Sequence, residues 1–309
     1  MGMATAHALR DRDVEAGWLW NFGGLSLWRL TRNVAVETQR NELFERASGL
    51  AFDFLLALFS MLFILLAVFD VFASLSVQLR TSLLAYFADF LPTLAFQLLR
   101  STTEELASKK SAEKMTIGIA VGLWLVSEGV VAIIAALNAA FRVTESRSWL
   151  RVRATAIALT LAISFLFLSA LSVVLISQHF LDWLGVKLQV LPTMVMLWKA
   201  MQWPTALFVV IFAYALIYTF GPDLKEKRWY WITPGSVFGA ALWLLASIGF
   251  RIYLRFVNDY TLLFGSLGAL VILLVWLYVT GLAFLIGGEI NAVIERAAGR
   301  LHSVEQDST

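Results

Sequence analysis

The chain has 309 residues, of which 60% are hydrophobic and 15% charged, with a net charge of +2. That balance leaves too little polar surface to cover a water-soluble globule of this length, and lipid is the solvent it fits. The absence of cysteine excludes disulfides, thiolate catalysis and zinc-thiolate sites.

The first 20 residues mix Arg10 and Arg12 with Asp11, Asp13 and Glu15 and hold no apolar core. No cleavable signal peptide is expected, and the first membrane helix must direct insertion. Residues 17–47 set Trp18, Trp20, Phe22, Leu25, Leu27 and Trp28 among arginines and glutamates, the pattern of an amphipathic helix lying on the cytoplasmic surface. The sequence thus divides into an N-terminal cytoplasmic segment (1–47), a transmembrane domain (48–293) and a polar cytoplasmic tail (294–309).

A helix that crosses a bilayer needs about 20 largely apolar residues. Six stretches meet or approach that length: Gly49 to Leu75, Ile117 to Leu137, Ala154 to Ser177, Pro204 to Phe220, Pro234 to Tyr253 and Gly265 to Gly288. The fold class is therefore all-α, a six-helix membrane bundle. The fourth stretch is short and either begins earlier or tilts. Pro204 and Pro234 suit a first helical position, where the missing amide proton costs nothing, and Thr233 suits the cap before Pro234. Residues 76–100, with Leu83, Leu84, Phe87, Leu91, Leu94 and Phe96 around Asp89 and Pro92, read as an outer interfacial or re-entrant element, with a seventh span as the alternative. Trp149, Trp198, Trp203, Trp229 and Trp231 flank apolar runs as interfacial anchors do, whereas Trp124, Trp243 and Trp276 fall inside them.

Cytoplasmic connections hold the excess of lysine and arginine. Arg142, Arg147, Arg151 and Arg153 crowd one connection and Lys225, Lys227 and Arg228 another, while the longer loop between them, 178–203, has only Lys187 and Lys199. Six arginines precede the first span, and Arg296 and Arg300 follow the last. All dense basic segments then lie on one side, and both termini are cytoplasmic.

From Arg46 onward the chain resembles the YihY/BrkB family of bacterial inner-membrane proteins, over roughly 250 residues. The residues that carry the resemblance are Trp231, Thr233-Pro234-Gly235, Leu242-Trp243-Leu244-Leu245-Ala246-Ser247, Phe264-Gly265-Ser266-Leu267-Gly268, Leu274-Val275-Trp276-Leu277-Tyr278 and Gly287-Gly288-Glu289-Ile290-Asn291-Ala292. Ala136-Leu137-Asn138-Ala139-Ala140-Phe141 with its trailing arginines matches a second block. The resemblance implies a six-helix inner-membrane protein linked to envelope integrity, serum resistance, virulence or transport. It also brings an older ribonuclease BN label. The chain departs from the family where Leu58-Phe59-Ser60-Met61 stands in place of a proline-ended run, and where Asp53 replaces an aromatic residue.

Several residues could carry chemistry. Glu128 lies mid-span, where a charge is costly unless it pairs, protonates or faces water. It is either a proton or cation carrier, or a carboxyl kept neutral by burial. Arg251 and Arg255, one turn apart near the outer end of their span, either snorkel to the interface or form an anionic headgroup site, with Tyr253 and Asp259 nearby. Asn138 with Arg142, and Glu289 with Asn291, end two spans and gather at one cytoplasmic mouth if those helices are adjacent, as structural ties or as part of a lipid path. Leu137-Asn138-Ala139 and Ile290-Asn291-Ala292 echo each other, too briefly to claim a repeat. Gly118 and Gly122, and Gly235 and Gly239, form GxxxG faces for helix packing that permit a homo-oligomer without requiring one. Gly265 and Ser266, with Gly268, sit where a loosened helix start could face a cavity. Asp53 and Asp70 are most simply interfacial.

A nuclease needs a metal cluster or a histidine pair, and His7, His179 and His302 fall on three separate segments. No GxxxxGK[ST] phosphate loop is present. The expected function is movement of a lipid or another anionic, amphipathic envelope component, with neither enzymatic activity nor metal nor cofactor. Membrane lipids are the expected partners and nucleic acid is not. The alternatives are a non-transporting scaffold that organises lipids or proteins and, third, a membrane enzyme.

Overall fold

The computed structural model describes residues 19–73, 112–188, 192–225, 230–256 and 260–298. The expected outer element at 76–100 and the outermost residues of both ends lie outside them. All regular structure among the described residues is helical: a 3-10 turn at Phe22–Gly24, then α1 (Leu27–Arg40), α2 (Leu43–Ala73), α3 (Ala112–Phe141), α4 (Trp149–Leu188), α5 (Pro192–Phe220), α6 (Pro234–Phe256) and α7 (Tyr260–Ala297).

Five of these helices are long and apolar enough to cross a membrane, through Gly122–Phe141, Trp149–Ser169, Ala200–Phe220, Pro234–Leu254 and Leu270–Ala297. They overlap the second to sixth stretches read from the sequence. The first stretch falls on α2, which begins at Leu43, six residues earlier than expected. At 40 and 38 residues, α4 and α7 greatly exceed the roughly 20 that span the hydrocarbon.

The helix ends follow local chemistry. Ser26 caps α1, its hydroxyl accepting from Arg29 N at 3.4 Å. Thr233 caps α6 as expected: its Oγ1 accepts from Ser236 N at 3.1 Å, while Ser236 Oγ accepts from Thr233 N at 3.0 Å. Pro234 then occupies the first helical position. Pro204 does not start its helix. It lies inside α5, which begins twelve residues earlier at Pro192. The loss of one backbone bond at Pro204 is tolerated because the flanking turns are apolar and continue the helix, and the Thr205 hydroxyl adds a bond to Met201 O at 2.8 Å.

Helix α3 ends on Arg142, whose φ of 54° is left-handed. Val143 N donates to Asn138 O at 2.9 Å and Arg142 N to Ala139 O at 3.0 Å, the paired bonds of a Schellman ending with arginine where glycine is usual. A side chain there costs about 1 kcal/mol, so something beyond the turn must hold it.

The chain forms two compact units, Met1–Phe52 with Val130–Thr309, and Asp53–Gly129. In the larger, α7 packs along α6 and also against α1, α5 and the Phe22–Gly24 turn, and α5 packs against α4 and α6. Leu30 and Val34 of α1 are buried against Ile290, Val293 and Ile294 of α7, while Leu27, Trp28 and Val36 are exposed. A second cluster joins Val130 and Ile134 of α3 to Ala156 and Leu159 of α4.

The tightest contact is between α6 and α7. A Cβ on Gly235 would collide with Gly287 O and come within 2.5 Å of Asn291 Oδ1, and one on Gly287 would meet Gly235 O at 2.7 Å and Gly239 Cα at 2.9 Å. The Gly235/Gly239 face is thus filled within the chain, by backbone approaching backbone. In the smaller unit, Gly129 faces Phe54 and Ala57, so α2 and α3 pack there. Gly122 is buried, and the surroundings of Gly118 lie outside the description.

Candidate functional site: a polar girdle at the basic end and a groove at the other

The C-terminal ends of α3, α5 and α7, the start of α6 and the α1–α2 turn meet at one end of the larger unit, which carries the basic connections. Glu289 is 0% exposed. Its two carboxylate oxygens accept from Arg296 Nη2 at 2.8 Å and Asn41 Nδ2 at 2.9 Å. Two turns along α7, Arg296 also donates through Nη1 to Ala140 O at 2.8 Å, an end carbonyl of α3 that has no amide partner in its own helix. Arg142 reaches Glu37 of α1 at 2.6 Å, and Glu37 lies 3.8 Å from Arg296. This ion pair is what holds Arg142 in its left-handed backbone.

The two echoed asparagines perform the same task. Asn138 Oδ1 accepts from Asp223 N at 2.8 Å, tying α3 to the segment after α5, and its Nδ2 donates to Glu145 at 2.8 Å. Asn291 Oδ1 accepts from Gly235 N at 2.8 Å and its Nδ2 donates to Thr233 Oγ1 at 3.0 Å, tying α7 to the start of α6. Each joins its helix to another segment through a donor and an acceptor on one planar group.

Outside the spans, Arg147 grips Glu145 at 2.7 and 2.6 Å, donates to Gly221 O at 2.9 Å and lies 3.5 Å from Asp223. The Arg147 hydrogen bonds, helped by the Asn138 amide, hold the Glu145 carboxyl below its ordinary range. The Glu145 bond raises the Arg147 guanidinium in turn. Asp223 also accepts from the amide and hydroxyl of Ser146.

Asn138, Arg142, Glu289 and Asn291 are therefore brought together, in two adjoining clusters whose bonds run to one another and to helix ends. Sequence reasoning missed Glu37, Asn41, Glu145 and Asp223, which complete them. Glu145 and Asp223 are unremarkable in local spacing, and nothing in residues 37–41 points to partners almost 250 positions away.

Of the two readings of Glu128, a proton or cation carrier and a carboxyl kept neutral by burial, the second does not fit a side chain that is exposed on α3. Within the smaller unit it lies in electrostatic reach of Asp53 of α2, the position where sequence resemblance anticipates an aromatic residue.

Arg251 lies on α6, about 25 Å along the helix axis from Pro234. It is exposed and makes no hydrogen bond or ion pair among the described residues. It lines a groove of about 400 Å³ between α6 and α7, with Ser247, Phe250 and Leu254 on one side and Leu273 and Trp276 on the other. The side chains of Arg255 and Ser266 and the surroundings of Gly265 lie outside the description. Among the described residues no three histidine, aspartate or glutamate side chains converge as a metal ion would require.

The family described as virulence factor BrkB matches residues 34–308. The chain is similar to YfkH of Bacillus subtilis (strain 168), which carries the provisional name ribonuclease-like protein, with 29% identity over 255 residues, 81% of this chain and 90% of that one. A UPF0761 membrane protein of Idiomarina loihiensis is 28% identical over 216 residues, 68% of this chain and 71% of that one. A UPF0761 membrane protein of Vibrio cholerae is 33% identical over a shorter run of 82 residues, 26% of this chain and 27% of that one. No solved structure matches the chain. With a match over most of its length and five helices of membrane-spanning length and composition, the chain belongs to the BrkB family and is a membrane protein.

Proposed function

We propose that the chain is a six-span protein of the bacterial inner membrane, with both termini cytoplasmic, that moves a lipid or another anionic, amphipathic envelope component. The observation that carries this reading is the pair of acids, Glu128 and Asp53, in electrostatic reach of each other on two apolar helices. Carboxyl groups at membrane depth are costly, and a pair of them offers a place that a proton or cation can neutralise. An ion gradient acting through Glu128 is the driver this arrangement supplies.

The orientation rests on the basic end, where Arg142, Arg147, Arg151 and Arg153 precede α4. α1 is attached to that end through α7, and its exposed Leu27 and Trp28 are suited to the cytoplasmic headgroup layer. With the Gly235/Gly239 face filled by α7, association with a second copy is not needed to bury it. The ribonuclease-like name belongs to YfkH. For this chain a non-enzymatic role is the better reading, since its three histidines fall on separate segments and offer no pair for phosphodiester hydrolysis.

A scaffold that organises lipids or proteins without transport is the second reading. The closed girdle favours it, because Asn138, Glu289 and Asn291 direct their bonds to helix ends. Reconstitution of wild type and Glu128→Gln in liposomes, with flux of fluorescent lipids and protons under an imposed pH gradient, separates the two. Transport requires wild-type flux that Glu128→Gln abolishes. No flux from folded protein leaves the scaffold.

A further inference from the structure

We infer that the α6–α7 groove is a binding site for one anionic phospholipid drawn from the bilayer, with its phosphate on Arg251, an ester carbonyl on the Ser247 hydroxyl one turn deeper, and its glycerol region between Phe250 and Trp276. Three observations converge. Arg251 has no counter-charge among the described residues, although a guanidinium at a lipid-facing position is costly without one. Ser247, one turn before it on the same helix, has a buried Oγ with no hydrogen-bond partner.

That hydroxyl is unusual among the described residues. Ser48, Ser60, Ser127, Thr155, Thr160 and Thr205 all donate back to a carbonyl three or four residues earlier in their own helices. Ser247 makes no such bond and keeps its donor for something else. A phosphate oxygen accepts from a guanidinium, and the ester carbonyl just inside it accepts from a hydroxyl.

The groove supplies the remaining part of the lipid's chemistry. Its volume of about 400 Å³ lies within the range of about 300–1,000 Å³ common to small-molecule sites, and apart from Ser247 and Arg251 its walls are apolar or aromatic. α6 is the least buried of the five candidate spans, and Leu245, Ile248 and Ile252 beside the groove are exposed. A lipid can therefore enter sideways. About 25 Å from the start of α6, Arg251 stands near the far edge of a hydrocarbon layer about 30 Å thick, at headgroup level. A purely snorkelling arginine would need neither the unpartnered serine nor the groove.

This deepens the transport reading by naming its cargo class and docking point, while the site itself requires only that the chain sits in lipid. The test uses full-length protein in detergent, with binding of phosphatidylglycerol, phosphatidylcholine and inorganic phosphate followed by native mass spectrometry and by the shift in unfolding midpoint. Wild type and Arg251→Lys are expected to bind phosphatidylglycerol in preference to phosphatidylcholine, with no shift from inorganic phosphate alone. Arg251→Gln and the groove-filling Ser247→Phe should each weaken that binding by about tenfold or more, whereas Arg151→Gln, at an exposed arginine of the basic end, should not.

Equal binding in wild type, Arg251→Gln and Ser247→Phe overturns the site, as does an equal loss in Arg151→Gln or a full effect from inorganic phosphate. Lipid flux measured on the same proteins keeps the two ideas apart. Binding through Arg251 without any flux leaves the site standing and ends transport; flux with binding untouched by Arg251→Gln does the reverse.

Discussion

Replacing Glu289 tests whether the girdle is a strut or part of a path. Glu289→Ala deprives Arg296 Nη2 and Asn41 Nδ2 of their acceptors at 2.8 and 2.9 Å. A buried charge pair broken on one side costs about 3–5 kcal/mol. Arg296 is 18% exposed and keeps Ala140 O at 2.8 Å, so water and that carbonyl recover part of the loss. The expected cost is therefore at the lower bound, about 3 kcal/mol.

Glu289→Gln keeps the shape and one oxygen for Arg296, and Asn41 can turn its amide to accept from the new NH2. Its cost falls to about 1 kcal/mol. Unfolding in detergent micelles, followed by loss of helical circular dichroism, should rank the proteins wild type, Gln, Ala. A double-mutant cycle with Asn41→Ala should return a coupling of about 1 kcal/mol. An Ala variant as stable as wild type, or a Gln variant as damaged as Ala, refutes the strut. Lost lipid flux at unchanged stability would return Glu289 to the path.

Two further outcomes follow from the geometry. Gly235→Ala drives a methyl into Gly287 O and Asn291 Oδ1 and should lower stability by about 1–3 kcal/mol in the same unfolding assay, whereas Gly49→Ala, whose Cβ meets nothing within 4 Å, should be neutral or stabilising. Because Glu145 has a lowered folded pKa, its contribution is fully present above the ordinary glutamate value of about 4.3 and is lost as pH falls through the lower folded value. Hydrogen exchange of residues 143–148 should rise on acidification through that window relative to Glu145→Gln, after correction for the intrinsic pH dependence of exchange; an identical pH response in both proteins would show that the carboxylate does not hold the loop.

Much of the fold was legible because hydropathy counts residues along one helix at a time. The second to sixth stretches became α3 to α7, and Thr233 with Pro234 announced the start of α6 through local capping chemistry. Pro204 misled because the same residue that opens a helix in water is tolerated inside one in lipid. The site was half legible. Asn138, Arg142, Glu289 and Asn291 stood out as polar groups ending apolar runs, but Glu37, Asn41, Glu145 and Asp223 are ordinary residues in polar connections. Their pairing depends on which helix ends become neighbours, which spacing along the chain does not encode. Ser247 was invisible for the opposite reason: it sits inside a quoted family block and becomes noteworthy only through the hydrogen bond it does not make.

The glycine contact between α6 and α7 has a mechanical consequence. Backbones that touch, with no side chain between them to deform, resist small sliding steps, so the two helices form one stiff lever pinned where Asn291 meets Thr233 and Gly235. With Arg251 about 25 Å from the pin, a swing of about 10° displaces it by about 4 Å. A rearrangement that is slight at the basic-end girdle is thereby magnified at the far end of α6 into a displacement comparable to the width of a lipid chain.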